Sequence, residues 1–221
     1  MGADRRPYAS AVDDWSFVTT PAELREVVGH PVQRVADKVR DRLHPMDVAF
    51  LAHSPFWALA TSSAAGRCDV SPKGDPGGSS VLVLSQTCLA LAERPGNRRV
   101  DGFLNALENP HVGLLFLVPG RGDTLRVNGR ARLVREAPFF DDLVVEGHRP
   151  KLALVVDVEE VFFHCAKAFL RSKLWDPVTW PASDALPSRS VIAKAMERAD
   201  QSLEEISAYY GAAYADGLYK E

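Results

Sequence analysis

Three groups of residues in this chain have the types and spacing to do chemistry. The first is the pair Arg98 and Arg99 in the run Arg94-Pro95-Gly96-Asn97-Arg98-Arg99. Two adjacent guanidinium forks donate hydrogen bonds in the geometry that a phosphate accepts. Pro-Gly breaks the chain before them, and Asn97 reads as the N-cap of a helix. Val100, Phe103, Leu104 and Leu107 then recur at i, i+3, i+4 and i+7 as an apolar stripe, with Arg98, Asp101 and Asn105 beside it. Arginines in a first helical turn oppose the macrodipole, which favours anions there. A bound phosphate offsets that conflict, because the free N–H groups of a helix start also donate to it. Solvated arginines on a surface turn are the alternative.

The second group is Lys167, Arg171 and Trp175, spaced i, i+4, i+8 on one helical face. Two cations and an indole in a row suit an anionic aromatic molecule, or else form a surface face with a half-buried tryptophan. The third group lies on a strand. Leu125, Val127, Ala131 and Leu133 alternate with Thr124, Arg126, Asn128, Arg130 and Arg132. A face this basic is either solvated or turned toward an anion. The histidines offer less: His111 follows a turn at a strand start and His164 ends a strand, and both read as structural. No Gly-x-Ser-x-Gly elbow is present to support a serine hydrolase.

Positioning these groups requires a sheet with helices at both ends. Pro21 to Leu24, after Thr20 and with Glu23 in capping-box position, starts a helix. A second helix is expected over Val32 to Leu43, and a short one over Met46 to Ala52. Strand patterns follow at Phe56–Thr61 and Arg67–Ser71, a hairpin, and then at Val81–Leu84 and Cys88–Leu91, a second one. Between the hairpins, Pro72 to Gly78 reads as loop. His111–Val118 is apolar enough for a strand buried on both faces. Thr124–Leu133 and Lys151–Val161 complete the set, with a short helix at Ala137–Leu143. Closely spaced strands of this kind predict a closed antiparallel barrel. A Pro/Ser-rich link from Pro177 to Ser188 leads to a single C-terminal helix carrying Ile192, Ala195, Met196, Ala199, Leu203, Ile206 and Tyr210. The expected organisation is a helical segment packed on the barrel (1–52), the barrel itself (53–176), and a linker with its helix (177–221).

Composition narrows the partners. At 221 residues and 46% hydrophobic content the chain can bury a substantial core. A net charge of -3 gives no general affinity for nucleic acid, so an anion site must be a local cluster of the 26 basic residues. Cys68, Cys88 and Cys165 are far apart with no metal-type spacing, and are expected to be buried thiols in a reducing cytoplasm. No metal site is expected. Met1 to Ser10 lack the apolar core of a signal peptide, and no run approaches the ~18 apolar residues that span a bilayer. A cytoplasmic protein without membrane contact is expected.

Taken in order, Asp69-Val70-Ser71-Pro72-Lys73-Gly74-Asp75, Arg94-Pro95-Gly96-Asn97-Arg98-Arg99, the Thr124–Gly129 strand and Arg171-Ser172-Lys173-Leu174-Trp175-Asp176-Pro177 resemble the pyridoxamine 5′-phosphate oxidase-like family of FMN-binding split barrels, in its oxidoreductase-like branch. The resemblance covers roughly Ala52 to Pro177. It implies a mainly β fold with flanking helices, built on a six-stranded antiparallel split β-barrel. It also implies a homodimer with FMN at the subunit interface. Arg98 and Arg99 would meet the flavin phosphate, and Val70, Ser71 and Lys73 would lie along the ring. Thr124 and Arg126 fall where a later strand contacts the cofactor, and Lys167, Arg171 and Trp175 would reach in from the second subunit. The implied function is that of an FMN-dependent oxidoreductase acting on an unidentified small molecule. A flavin-binding sensor or store is an alternative, as are deazaflavin or haem in place of FMN.

Pyridoxamine phosphate oxidases proper carry a C-terminal Arg-Leu-x-Pro stretch that helps to bind the substrate. Here the sequence reads Gly217-Leu218-Tyr219-Lys220-Glu221, and extra residues separate Arg98 from Asn109. Oxidation of vitamin B6 is therefore not expected.

Overall fold

The computed structural model describes residues 15–211, 214 and 216–219. The stretch Met1–Ser10, read above as free of a signal peptide, lies outside the described residues, as do Lys220 and Glu221. The chain divides into two compact units, Met1–Lys38 and Val39–Glu221.

The first unit holds α1 (Pro21–Val28) and α2 (Gln33–Ala36). Thr20 caps α1 by accepting from the Glu23 amide, and the Glu23 carboxylate accepts in turn from the Thr19 amide at 2.8 Å. The helix expected over Val32 to Leu43 is only the four residues of α2. Further along, in the second unit, Arg40 exchanges both backbone hydrogen bonds with Val161, which imposes extended geometry there.

The second unit runs α3 (Pro45–Ala52), β1 (Phe56–Ser62), β2 (Cys68–Gly74), β3 (Val81–Ser85), β4 (Cys88–Ala92), α4 (Asp101–Glu108), β5 (His111–Leu117), β6 (Thr124–Val134) and β7 (Ala153–His164). After these come α5 (Lys167–Ser172), α6 (Arg189–Met196) and α7 (Leu203–Tyr209). The single expected C-terminal helix is thus two, with Ser188 capping α6 and a Ser202/Glu205 capping box opening α7. Caps that strong start new helices.

All seven strands form one antiparallel sheet in the order β2-β1-β5-β6-β7-β4-β3. The count is one more than six, and the order is linear, with β2 and β3 as ends, where a fully closed barrel was expected. The sheet still wraps a common core. Trp57 from β1, Leu89 and Leu91 from β4, Phe116 from β5 and Val156 from β7 belong to one buried cluster, the interior of a split β-barrel. The Trp57 indole donates to the Ser80 hydroxyl at 2.9 Å inside it. α3 enters this core through Phe50 and Leu51, and its N-terminus is held by buried Asp47, which takes both Arg40 Nη1 (2.6 Å) and Nη2 (2.9 Å).

Three further strand expectations change. β5 is buried on one face only: Val112, Leu114 and Phe116 point in, while Leu115 is exposed. β2 continues through Pro72 to Gly74, where loop was expected, because an edge strand tolerates a missing N–H. In the β6–β7 pair the register shifts after Asn128, so that Glu160 opposes Asn128 while Val158 opposes Gly129. This β-bulge leaves Glu159 as the extra residue. A Cβ at Gly129 would collide with the Asp157 carbonyl oxygen, which makes glycine the fitting residue at this close approach.

Among the described residues, no helix is long and apolar enough to cross a membrane.

Candidate functional site

The site is built on the chain that leaves β4. Arg94 is anchored first: its Nε donates to Asp75 Oδ2 at 2.7 Å and its Nη2 to the Leu143 carbonyl at 2.9 Å. Asp75 itself is 5% exposed. Its other oxygen accepts from the Tyr219 hydroxyl at 2.8 Å, and burial, followed by that hydrogen bond, pushes the Tyr219 phenol up to about 12. From this fixed point the chain loops out through Pro95 and Gly96.

Asn97 does not cap a helix. Its side chain accepts from the Arg99 amide at 3.1 Å, an Asx turn, and α4 begins three residues later than the N-cap expectation required. Arg98 and Arg99 therefore precede the helix and do not sit in its first turn. The dipole conflict dissolves, since Asp101 occupies the first turn and Asp69 approaches it from β2. A Cβ on Gly102 would come within 3.2 Å of Asp69 Oδ2, an oxygen that is buried without a hydrogen-bond partner. The apolar stripe is also revised. Phe103 and Ala106 face the barrel, whereas Val100, Leu104 and Leu107 are exposed, and Asn105 turns inward to donate to Thr61 at 3.1 Å.

The loop carries strain. Arg98 (φ 60°) and Val100 (φ 47°) both have left-handed backbones. For a β-branched residue such as Val100 that geometry is a genuine outlier, costing on the order of 1–3 kcal/mol. Arg99 is engaged by Asp101 (Nε to Oδ2, 2.7 Å), which raises its pKa through that hydrogen bond. Arg98 has no hydrogen-bond or ion-pair partner among the described residues.

Facing this loop is the edge strand β2, and together they line a cleft of about 750 Å³. The structure brings Val70, Ser71, Lys73, Arg98 and Arg99 together in its walls. Lys73 crosses to Glu93 (Nζ to Oε2, 3.0 Å) and sits 5.0 Å from the Phe103 ring centroid. Glu93, Phe103 and Tyr214 also line the cleft, and sequence reasoning missed them. The only available signal was the position of Glu93 one residue before the Arg94 motif. Alternation divides the β2 residues. Lys73 pairs with inward-facing Trp57, so Ser71 and Lys73 share the inner face, whereas Val70 is 67% exposed on the other.

The remaining predicted residues lie elsewhere in the chain. β6 is three strands from β2, about 14 Å along the sheet. Thr124 is buried opposite His164, and the Arg126 guanidinium lies 4.9 Å from the Phe162 centroid. Arg130 reaches His111 Nε2 at 3.1 Å and Arg132 pairs with Asp157 at 2.8 Å, so this basic face is matched across strands. His111 is held from both ring nitrogens, as its structural assignment required. Lys167 and Arg171 are exposed on α5, but Trp175 lies beyond its end, because Lys173 turns left-handed and stops the helix. The three do not share one helical face. The Trp175 ring stacks on Phe169 and its indole donates to the Arg121 carbonyl at 2.7 Å. Of the cysteines, Cys68 and Cys165 are exposed and Cys88 is intermediate, against the expectation of buried thiols. They occupy the first position of β2, the residue after β7 and the start of β4, where the core does not enclose them. Among the described residues no group of three or more His, Cys, Asp or Glu side chains is arranged to hold a metal ion.

The family model described as pyridoxamine 5′-phosphate oxidase matches residues 43–165, more than half of the chain. The chain belongs to that family. The matched region spans the sheet from just before α3 to the end of β7, and so contains the Arg94–Val100 loop and all of β2. Among solved structures, this family member is similar to a candidate pyridoxamine 5′-phosphate oxidase from Lactobacillus delbrueckii, at 23% identity, 56% of this chain, 95% of that chain and a TM-score of 0.44. It is also similar to HupZ from Group A Streptococcus, at 18% identity over 55% of this chain and 93% of that one, TM-score 0.44. A third similar structure is HutZ, the heme storage protein of Vibrio cholerae, at 17% identity, 56% and 94% coverage and a TM-score of 0.37. A search of curated proteins finds no match.

Proposed function

We propose that this protein is an FMN-dependent oxidoreductase of the pyridoxamine 5′-phosphate oxidase family, with its cofactor in the cleft between β2 and the Arg94–Val100 loop. The observation that carries the proposal is the unpaired Arg98 guanidinium, held on a strained loop at the wall of a cleft large enough for a flavin. A phosphate monoester bears about −1.5 to −2 charges at neutral pH. One charge pair at ~4 Å near a protein surface is worth about 4 kcal/mol before desolvation. Arg98 holds that phosphate, with Arg99 beside it. Ser71 and Lys73 border the isoalloxazine ring, and Glu93 keeps the Lys73 ammonium directed into the cleft. Flavin, when bound, supplies the hydride and electron chemistry; the protein supplies orientation and electrostatics.

Arg98→Ala is expected to lower FMN affinity at least tenfold, about 1.4 kcal/mol, in a fluorescence titration. Unchanged affinity would sink the assignment. Anaerobic mixing of the loaded protein with NADH or NADPH then separates turnover from storage: bleaching of the flavin supports an enzyme, and no reduction by any physiological donor supports binding alone. The absorption spectrum of the copurifying cofactor distinguishes FMN from deazaflavin, and a Soret band would mark haem.

The protein is further proposed to be a homodimer in the cytoplasm. Thr124, Arg126, Lys167, Arg171 and Trp175 do not line the same chain's cleft, and a second copy would bring the α5 cations to the cofactor. Three free thiols accord with a reducing compartment. Light scattering of the cofactor-loaded protein is expected to give twice the chain mass, and a single-chain mass would refute the dimer.

A further inference from the structure

The cleft between β2 and the Arg94–Val100 loop has a third wall, supplied by residues that follow α7. Tyr214 and Leu218 line it. At 52% and 58% exposed, neither side chain belongs to the core. Apolar surface left open at a cleft gains burial when the cleft is filled.

Two fixings hold these residues in place. At one end the Tyr214 ring packs on Tyr210 (centroids 5.6 Å apart) and Tyr209 (5.7 Å) of α7, a helix that packs against α6 and carries fully buried Ile206. At the other end the turn 216–219 closes on Tyr219, whose hydroxyl donates to Asp75 Oδ1 at 2.8 Å. The Tyr219 ring meets the Arg94 guanidinium, 5.8 Å from its centroid, and stacks on His148 at 5.8 Å with 18° between planes. His148 is itself pinned by reciprocal backbone hydrogen bonds with Val145.

Asp75 is the common point. One of its oxygens takes Arg94 Nε from the loop, and the other takes the Tyr219 hydroxyl. A buried carboxylate bound from two segments couples them, because losing either donor leaves an oxygen that must find water. With burial raising it to about 12, the Tyr219 phenol stays a donor throughout the neutral range.

We infer that the turn 216–219 is a strap across the cofactor cleft, latched by Tyr219 and released together with the Arg94–Val100 loop when a ligand enters or leaves. The inference rests on the flavin reading only for the identity of that ligand. Opening moves Leu218 off the cleft, admits water to Asp75 and loosens Arg94 in one step.

Tyr219→Phe is the test, since it keeps the ring and removes only the donor. In hydrogen exchange of the full chain without ligand, the amides of 217–219 and of the Arg94–Val100 loop are expected to exchange about tenfold faster than wild type, the worth of one hydrogen bond to a charged acceptor. Those of β5 and β6 are expected to keep their wild-type protection. Wild-type exchange in either segment overturns the latch, and so does faster exchange throughout β5 and β6, which would make Tyr219 a contributor to global stability alone. With FMN, stopped-flow fluorescence is expected to show release and uptake both about tenfold faster in the variant, because a strap slows traffic in both directions. Uptake at the wild-type rate overturns the strap whatever the affinity does. If the protein takes no FMN at all, the flavin reading fails while hydrogen exchange still decides the latch.

Discussion

On β6, Arg126 lies over Phe162 and Arg132 pairs with Asp157, both on β7, and Arg130 reaches His111 on β5; in the Arg94–Val100 loop, Arg98 points to no partner among the described residues. The two regions carry similar numbers of cations and were both marked by sequence as places for an anion. Register explains the difference. Directly opposite residues on a sheet face stand about 5 Å apart, so a cation in a ladder is offered neighbours by the strand beside it. A loop between a strand and a helix has no such ladder: Arg94 and Arg99 find Asp75 and Asp101, Arg98 finds no partner among the described residues, and the loop also holds two residues in left-handed geometry. Unsatisfied charge combined with backbone strain is what supports placing the proposed ligand at the loop and not at the ladder.

Variants at three positions sharpen that contrast. Asp75→Ala strips the anchor of the loop and leaves the Arg94 guanidinium buried without its counter-ion. Denaturant unfolding should show a loss of about 3 kcal/mol, as for other broken buried pairs. A loss below 1 kcal/mol would mean that the loop does not depend on its anchor. In the ladder, Gly129→Ala forces a methyl group against the Asp157 carbonyl and should cost about 2 kcal/mol by the same assay. Wild-type stability there would show that the bulge yields easily. The smallest effect has the opposite sign. Val100→Gly relieves a left-handed valine whose side chain is largely exposed, and the chain should gain about 1 kcal/mol. A loss would show that the exposed Val100 side chain contributes more than its backbone strain costs.

Much of the site was legible because it is local. The order Asp69–Asp75, then Arg94–Arg99, marked two segments that the structure sets on either side of one cleft, since each is short and a barrel hairpin joins them. The hairpins, the bulk of the strands, α1 and α3 followed from alternation, proline placement and caps. What failed was decided by distant partners. Nothing near Asn97 says that Asp69, from another strand, will sit at the start of α4. Nothing near Val39 says that Arg40 will join Val161, and Trp175 kept its helical spacing on paper while Lys173 ended the helix first. The stripe Val100, Leu104 and Leu107 had helical period but the wrong phase, because the helix started later than Asn97 suggested.

Pro72 has a bearing on assembly. β2 ends the sheet, and an end strand with a full row of N–H and C=O groups invites another chain to add a strand of its own. Pro72 removes one donor from that row, and Lys73 carries a charge on the barrel-facing side of the same edge. Both features discourage strand addition. Strand addition by another chain, a second copy included, is therefore disfavoured at this edge, which keeps the cleft beside β2 from being sealed by an intruding strand.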